Sequence, residues 1–153
     1  MKVLIFCVSK YYGNTKKIAQ AMASALDAQV IEPKEAIDGI VSSYDMVGFG
    51  SGIYFGKHDS SLLDLVDKLP KCKKKAFVFS TRGRNSLFET AYHKVLRKKL
   101  VEKGFDLVGE FSCRGFSDYY KIFKFFGGVN KGHPKRKELD NAKTFALGLS
   151  GKN

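Results

Sequence analysis

Ser9-Lys10-Tyr11-Tyr12-Gly13-Asn14-Thr15 joins two segments of different character, and this junction decides the fold. Before it lies the apolar run 3–8, VLIFCV, which is typical of a strand covered on both faces in a parallel sheet. After it, apolar residues recur at helical spacing as far as residue 26. Gly13 suits a tight turn, and Asn14 is a favoured helix N-cap. The sequence therefore predicts a strand, a tight turn and a helix that begins near residue 14.

The turn over residues 9–15 is a candidate phosphate site. A helix N-terminus presents unpaired backbone N–H groups and the positive end of the helix dipole, and the hydroxyls of Ser9 and Thr15 add donors. An ordinary loop before a well-capped helix is equally consistent with these residues. The turn contains neither Gly-x-x-x-x-Gly-Lys-Ser/Thr nor Gly-x-Gly-x-x-Gly, which argues against ATP and dinucleotides as ligands.

The rest of the chain alternates between strand-like and helix-like segments. Further strands are predicted at 29–31, 45–51, 75–80 and 105–113. Helices are predicted within 36–41, 59–69, 87–100 and 139–149, the third with a capping box of Ser86 and Glu89 and an apolar face of Leu87, Ala91, Val95 and Leu100. This alternation predicts one α/β domain over residues 1–153, a doubly wound three-layer fold with a five-stranded parallel sheet. Right-handed crossovers allow the strand order 2-1-3-4-5.

Three loops are expected to converge at one edge of this sheet. In doubly wound sheets a ligand lies at the carboxyl ends of the strands, beside strand 1. The loops 9–15, 50–57 and 81–85 follow strands 1, 3 and 4, and each carries glycine or hydroxyl residues. A fourth loop, 114–137, is unusually long. The ligand site is therefore expected at the carboxyl edge of the sheet.

The chain resembles the flavodoxin family over nearly its whole length. The ending Gly13-Asn14-Thr15 is similar to that of the flavodoxin phosphate loop, although residues 10–12 are Lys-Tyr-Tyr where many flavodoxins carry Ser or Thr. Residues 50–56, GSGIYFG, are similar to the first flavin-ring loop of flavodoxins, of flavodoxin-like quinone reductases and of menaquinone-linked protoporphyrinogen oxidase. Further resemblance to flavodoxin-family proteins of anaerobic bacteria and archaea lies in residues 79–83, 113–116 and 127–134.

This resemblance implies FMN as the cofactor and assigns the residues that bind it. The phosphate side comprises Ser9, Lys10, Tyr11, Tyr12, Gly13, Asn14 and Thr15. The ring side comprises Ser51, Gly52, Ile53, Tyr54, Phe55 and Gly56 from the second loop, and Thr81, Arg82 and Gly83 from the third.

Particular roles follow from the chemistry of these residue types. A flexible glycine peptide beside the flavin can offer either C=O or N–H as the redox state changes, and the candidates are Gly50, Gly52 and Gly83. Tyr54 is expected to stack on the flavin ring, with an exposed loop aromatic or a core plug as the alternative. Arg82 is expected near the pyrimidine edge of the ring or, equally, on the surface.

The function implied by the resemblance is electron transfer between redox proteins, because no residue set suggests acid–base or nucleophilic catalysis and the cofactor supplies the chemistry. The alternative is an FMN-dependent oxidoreductase acting on a quinone or porphyrinogen. A nucleic-acid partner is not predicted, since the charge alone suggests one and no recognition motif is present. A metal site is not predicted either, because the cysteines and histidines are scattered: Cys7, Cys72, Cys113, His58, His93 and His133.

Basic residues are concentrated in the second half of the chain. The net charge is +12, and residues 1–70 carry −1 whereas residues 71–153 carry +13. This half is expected to attract an anionic partner, which we predict to be an acidic redox protein. The aromatic and basic stretch 116–126 is expected to pack over the sheet, with flavin capping, partner docking or contact with a membrane surface as alternatives. A cytoplasmic location is predicted, because neither a signal peptide nor a membrane-spanning run is recognisable.

Overall fold

The computed structural model describes residues 1–83, 91–116 and 131–151. The strands within them are β1 (Val3–Val8), β2 (Gln29–Ile31), β3 (Met46–Tyr54), β4 (Lys57–His58), β5 (Lys75–Arg82) and β6 (Asp106–Arg114). The helices are α1 (Asn14–Leu26), α2 (Ser60–Lys68), α3 (Lys94–Glu102) and α4 (Arg136–Ser150), together with 3₁₀ turns at Pro33–Glu35, Ile40–Ser43 and Ala91–His93.

The long strands form one parallel sheet in the order β2-β1-β3-β5-β6. This order confirms the predicted α/β doubly wound arrangement, and the two-residue strand β4 is an addition that pairs antiparallel with the end of β3. Ser51 of β3 lies opposite Val8 of β1 and Ser80 of β5, and Ser80 lies opposite Ser112 of β6. The carboxyl ends of these strands therefore reach the same edge of the sheet.

Helices cover both faces of the sheet and create two apolar cores. On one face, α1 and α4 pack on the side chains of Phe77 and Phe79. On the other face, α2 and α3 pack on Phe49 and Val78. The β1 run is buried along its whole length, as its continuous apolar sequence predicted. Among the described residues, no helix has the length and apolar character that a membrane span needs.

The prediction of a loop over residues 50–57 is wrong, because most of these residues lie in a β-hairpin. Strand β3 continues to Tyr54, and β4 returns antiparallel beside it. The connection consists of Phe55 and Gly56, whose φ angles are +52° and +79°. Two consecutive residues with positive φ match the right-handed twist of a hairpin. Phe55 is an unusual residue for such a turn, so the sequence carried no Asn-Gly or Asp-Gly signal.

Several predicted helix details also need correction. Gly13, with a φ of +65°, is the N-cap of α1, and Asn14 is its first helical residue rather than its cap. The helix predicted within 36–41 is absent, and 3₁₀ turns at Pro33–Glu35 and Ile40–Ser43 lie on either side of residues 36–39. Val95 is 42% exposed, whereas Leu96 and Leu100 form the buried face of α3. The predicted capping box at residues 86–89 lies outside the described residues.

Glycines in β3 make room for two phenylalanine rings of the neighbouring strand. We expect Gly50→Ala to lower the free energy of unfolding by about 1–3 kcal/mol, because the added methyl group would overlap the buried ring of Phe79. Equilibrium urea unfolding measures this change.

The matched control is Gly148→Ala in α4, where no side chain or distant backbone lies within 4 Å of the added methyl group. This control should be neutral or stabilising, since alanine is the better helix former. A Gly50→Ala chain as stable as the native chain would contradict the packing of Phe79 on β3.

Candidate functional site

The predicted convergence of loops at the carboxyl edge is confirmed by direct contacts between them. We call residues 9–15 the phosphate loop, residues 51–56 the ring loop and residues 81–83 the third loop. The Oγ1 atoms of Thr15 and Thr81 lie 2.8 Å apart, which joins the phosphate loop to the third loop. Asn14 donates from Nδ2 to the carbonyl of Phe116 at 2.7 Å, which joins it to the fourth segment.

The phosphate loop has the geometry of an anion site. Tyr12 and Gly13 have φ angles of +54° and +65°, and this turn leads directly into α1, whose first N–H groups have no partner within the helix. The hydroxyl oxygen of Ser9 is buried and has no hydrogen-bond partner among the described residues. A phosphate oxygen would satisfy this hydroxyl and the N–H groups together, so the residues present fit a phosphate.

Lys10 faces the ring loop and α2. Its ammonium group lies 2.6 Å from a carboxylate oxygen of the buried Asp59, the N-cap of α2. Burial alone would raise the pKa of Asp59, but hydrogen bonds from Lys10 and Ser61 outweigh it and hold the pKa below its usual range. The same bond raises the pKa of Lys10. Lys10 therefore ties the phosphate loop to α2, and its role as a phosphate ligand stays a prediction.

Aromatic side chains line the ring loop. The ring of Tyr54 lies 5.9 Å from that of Tyr11 in an edge-to-face arrangement, and Lys10 Nζ lies 5.8 Å from its centroid. Tyr54 also folds over Gly52, where an added Cβ would lie 2.5 Å from the phenolic oxygen. Burial raises the pKa of Tyr54, so its hydroxyl stays protonated. Phe55, at the tip, is 78% exposed.

Arg82 is not a surface arginine. Its residue is only 5% exposed, at the end of β5, and its Nε–H donates to Ser112 Oγ at 3.2 Å. It also lines a cleft of about 220 Å³ with Arg114 and Asn141. Thr81 and Arg82 are the last residues of β5, whereas the sequence predicted a strand that ended at residue 80. A positive charge is thus held at the carboxyl edge.

Sequence reasoning missed a buried polar group behind the ring loop, which we call the serine–histidine layer. It consists of Ser51, Ser80 and Ser112, in register on three adjacent strands, with His58 and His93 packed on them. His58 Nδ1 lies 2.8 Å from Ser51 Oγ, and His93 Nε2 lies 2.8 Å from Ser80 Oγ. The available signal was a serine after each apolar run, as in GFGS at 48–51 and FVFS at 77–80.

Part of this layer has the order of groups found in hydrolase triads. His93 Nδ1 lies 2.9 Å from Glu110 Oε2, while its Nε2 faces Ser80. Ser80 and His93 are both completely buried, so no acyl substrate can reach the hydroxyl. The contacts therefore position strands and loops.

Both histidines are held in the neutral form. Burial, reinforced by the neighbouring His93, lowers the pKa of His58 to about 3. Burial also lowers the pKa of His93, although the carboxylate of Glu110 opposes that change. Burial would raise the pKa of Glu110, but hydrogen bonds from Arg97 and His93 outweigh it, so the pKa is lowered and the group stays anionic.

Comparison with known proteins agrees with this architecture. The sequence model of the Flavodoxin domain family matches residues 4–124. An uncharacterized protein of Methanocaldococcus jannaschii is 47% identical over 149 residues, which cover 97% of this chain and 98% of that protein. Oxidised flavodoxin 2 from Bacillus cereus superposes with a TM-score of 0.74 at 19% identity over 100% of both chains. A flavodoxin from the domain Archaea gives 0.71 at 16% identity, covering 98% of this chain and 96% of that one.

Proposed function

Because the chain belongs to the flavodoxin family, we propose that it binds FMN at the carboxyl edge of its sheet and carries electrons between redox proteins. The phosphate loop is the observation that carries this proposal, since its buried Ser9 hydroxyl lacks a partner among the described residues beside the N-terminus of α1. The ring loop and third loop lie next to it, which is the arrangement that a flavin mononucleotide requires. When bound, FMN supplies the redox chemistry.

The residues of this chain would bind, orient and shield the cofactor. Ser9, Thr15 and the first N–H groups of α1 would hold the phosphate. Tyr54 would present its ring to one side of the flavin and exclude water there. Gly52, beneath Tyr54, would bring a peptide close to the flavin. Arg82, at the end of β5, would place positive charge near the ring edge.

The carrier is favoured over the alternative, an FMN-dependent oxidoreductase acting on a quinone or porphyrinogen. The triad-like group at this edge supports the carrier, because the hydroxyl of Ser80 and the ring of His93 are buried and closed to a substrate. A stepwise reductive titration followed in the visible spectrum separates the two functions. Two resolved one-electron steps support the carrier, and a single two-electron step supports the oxidoreductase.

We also propose that the redox partner has an acidic surface and that the chain works in a reducing compartment such as the cytoplasm. The charge of +13 in residues 71–153 favours association with an anionic protein. None of the three cysteines forms a disulfide bond, which agrees with a reducing environment. Burial raises the pKa of Cys7 to about 12, so this thiol is a protonated packing residue.

The affinities for FMN and riboflavin test the phosphate loop. We expect Ser9→Ala and Thr15→Ala each to weaken FMN binding roughly tenfold and to leave riboflavin binding unchanged, since riboflavin has no phosphate for these hydroxyls to contact. Fluorescence-quenching titrations measure both affinities.

Two control variants accompany this titration. Thr15→Ser should restore FMN affinity by returning a hydroxyl at that position, and Ser42→Ala, in an exposed 3₁₀ turn far from the loops, should change neither affinity. Equal affinity of the native chain for FMN and riboflavin would overturn the phosphate-loop assignment.

The salt dependence of electron transfer to small charged probes tests the long-range effect of the positive charge. We expect the reduced chain to be oxidised by ferricyanide, an anionic probe, at a rate that falls as ionic strength rises, because salt screens the attraction. The cationic probe hexaamminecobalt(III) should show the opposite dependence. Stopped-flow measurements from low to high salt test both. If neither rate responded to salt, the lysines would have no part in steering.

The redox potential of the bound flavin tests the position of Arg82. Adding the second electron places negative charge on the flavin, so Arg82→Gln should lower the potential of that step by roughly 40 mV, which corresponds to about 1 kcal/mol. Lys74→Gln is the matched control, because Lys74 precedes β5 at the opposite edge of the sheet and donates to the carbonyl of Ser42 at 3.0 Å. A spectroelectrochemical titration in which both variants shift equally would reject the placement of Arg82 beside the flavin.

A further inference from the structure

The serine–histidine layer connects the ring loop to the third loop through the interior. We propose that His58 and His93 are positioning residues of the ring loop, which their neutral imidazoles hold in place and which is released when the layer takes up a proton. This inference rests on the proposed function in so far as the ring loop receives the flavin. It assigns a task to two histidines that do not touch the phosphate loop.

Ser51 is the point at which the layer meets the ring loop. Its hydroxyl donates to the carbonyl of Gly52 at 2.7 Å and accepts from the backbone N–H of Asp59 at 3.0 Å. His58 Nδ1 lies 2.8 Å from the same oxygen. One serine hydroxyl thus joins the end of β3, strand β4 and the start of α2, so the position of His58 controls the whole hairpin.

The other ring nitrogen of His58 makes protonation costly. Nε2 is buried and has no hydrogen-bond partner among the described residues. A proton added there would create a buried cation without an acceptor. His93 lies with its ring centroid 5.0 Å away, so a charge on either imidazole would repel a charge on the other.

The charged groups around the two histidines offset this cost only in part, through Glu110 at His93. Glu110 on β6 is held by two hydrogen bonds from Arg97 of α3, at 2.7 and 2.9 Å. Asp59, at the start of α2, is paired with Lys10 of the phosphate loop. Arg82 of β5 adds a further positive charge and acts to lower the pKa of His93. The carboxylates near the layer are therefore already paired with cations.

The direction of the pH effect follows from these contacts. The pKa of His58 is about 3 with the hairpin in place, and it returns to its ordinary value of 6.5 once the side chain is solvated. The neutral form therefore stabilises the closed hairpin fully above pH 6.5, and this stabilisation declines as the pH falls toward 3. Between pH 7.5 and 5.5 the opening constant of the hairpin should rise about tenfold.

Release of the ring loop on protonation should weaken binding of the flavin ring rather than binding of the phosphate. Ser51 and Ser80 of the layer lead into the ring loop and third loop, and a link toward the phosphate loop runs through Asp59, which bonds Ser51 and pairs with Lys10. Riboflavin is therefore the appropriate probe. It carries the ring alone, and it lacks the phosphate monoester group that itself titrates near pH 6.

The test compares the native chain with His58→Asn. The asparagine amide can keep the hydrogen bond to Ser51 but cannot take up a proton. Hydrogen exchange of the 53–58 amides in the flavin-free chain, corrected for intrinsic rates, should show about a tenfold rise in opening from pH 7.5 to 5.5 for the native chain and less than about a twofold rise for the variant. Saturating riboflavin should slow the exchange of the same amides in the native chain at both pH values, because it binds the closed hairpin and not the open one.

The two readouts separate the possible failures. Identical pH profiles of exchange in the native and His58→Asn chains would overturn the positioning role. Exchange at residues 53–58 that saturating riboflavin left unchanged would show that the hairpin does not contact the flavin. Failure of FMN and riboflavin to bind at any pH would overturn the proposed function and leave the exchange result to decide on the hairpin.

A second variant provides for the case in which His58→Asn does not fold. His93→Gln retains a group at the Nε2 position that can bond Ser80, and it also removes a titrating imidazole. It should reduce the pH dependence of hairpin opening, because a neutral side chain then faces His58 at every pH. An unchanged pH dependence in this variant would exclude His93 from the device.

Discussion

The register of β3 between β1 and β5 is the constraint on which the rest of the structure depends. Gly48 and Gly50 lie opposite the rings of Phe77 and Phe79, and an added Cβ at either glycine would overlap those rings. A slip of one residue would turn Val47 and Phe49 toward the same rings and remove the space. Close packing at the glycines thus fixes how the ends of β3 and β5 are aligned, and the loops of the candidate site begin at those ends.

The serine–histidine layer marks the boundary between the apolar core and the loops. Apolar contacts tolerate small displacements, whereas hydrogen bonds between Ser51, Ser80 and their histidines require the strands to be aligned. Burying these groups costs free energy wherever a bond is missing, as at His58 Nε2. The layer therefore serves to align the strand ends at the site more than to increase the free energy of unfolding.

The sequence predicted the features that depend on local pattern. Strand and helix positions follow from burial periodicity, and Gly13 marked the phosphate turn because its positive φ favours glycine. The hairpin was missed, since Phe55 adopts a positive φ that its residue type does not suggest. The layer was missed because His93 and Glu110 meet only through tertiary packing. Residues 84–90 and 117–130 lie outside the described structure, so the predictions made for them stand as predictions.

The net charge of +12 acts over two distances, and the two effects have different origins. Exposed lysines, such as Lys98 beside Glu102, are screened within about 10 Å at ordinary salt, so collectively they influence only the approach of a partner. Arg82 is only 5% exposed, so salt screens its electric field much less. A surface made acidic by substitution would consequently alter the approach of a partner more than the field at the carboxyl edge of the sheet, where Arg82 is buried. Arg82 therefore contributes more to the field at that edge than a single exposed lysine does.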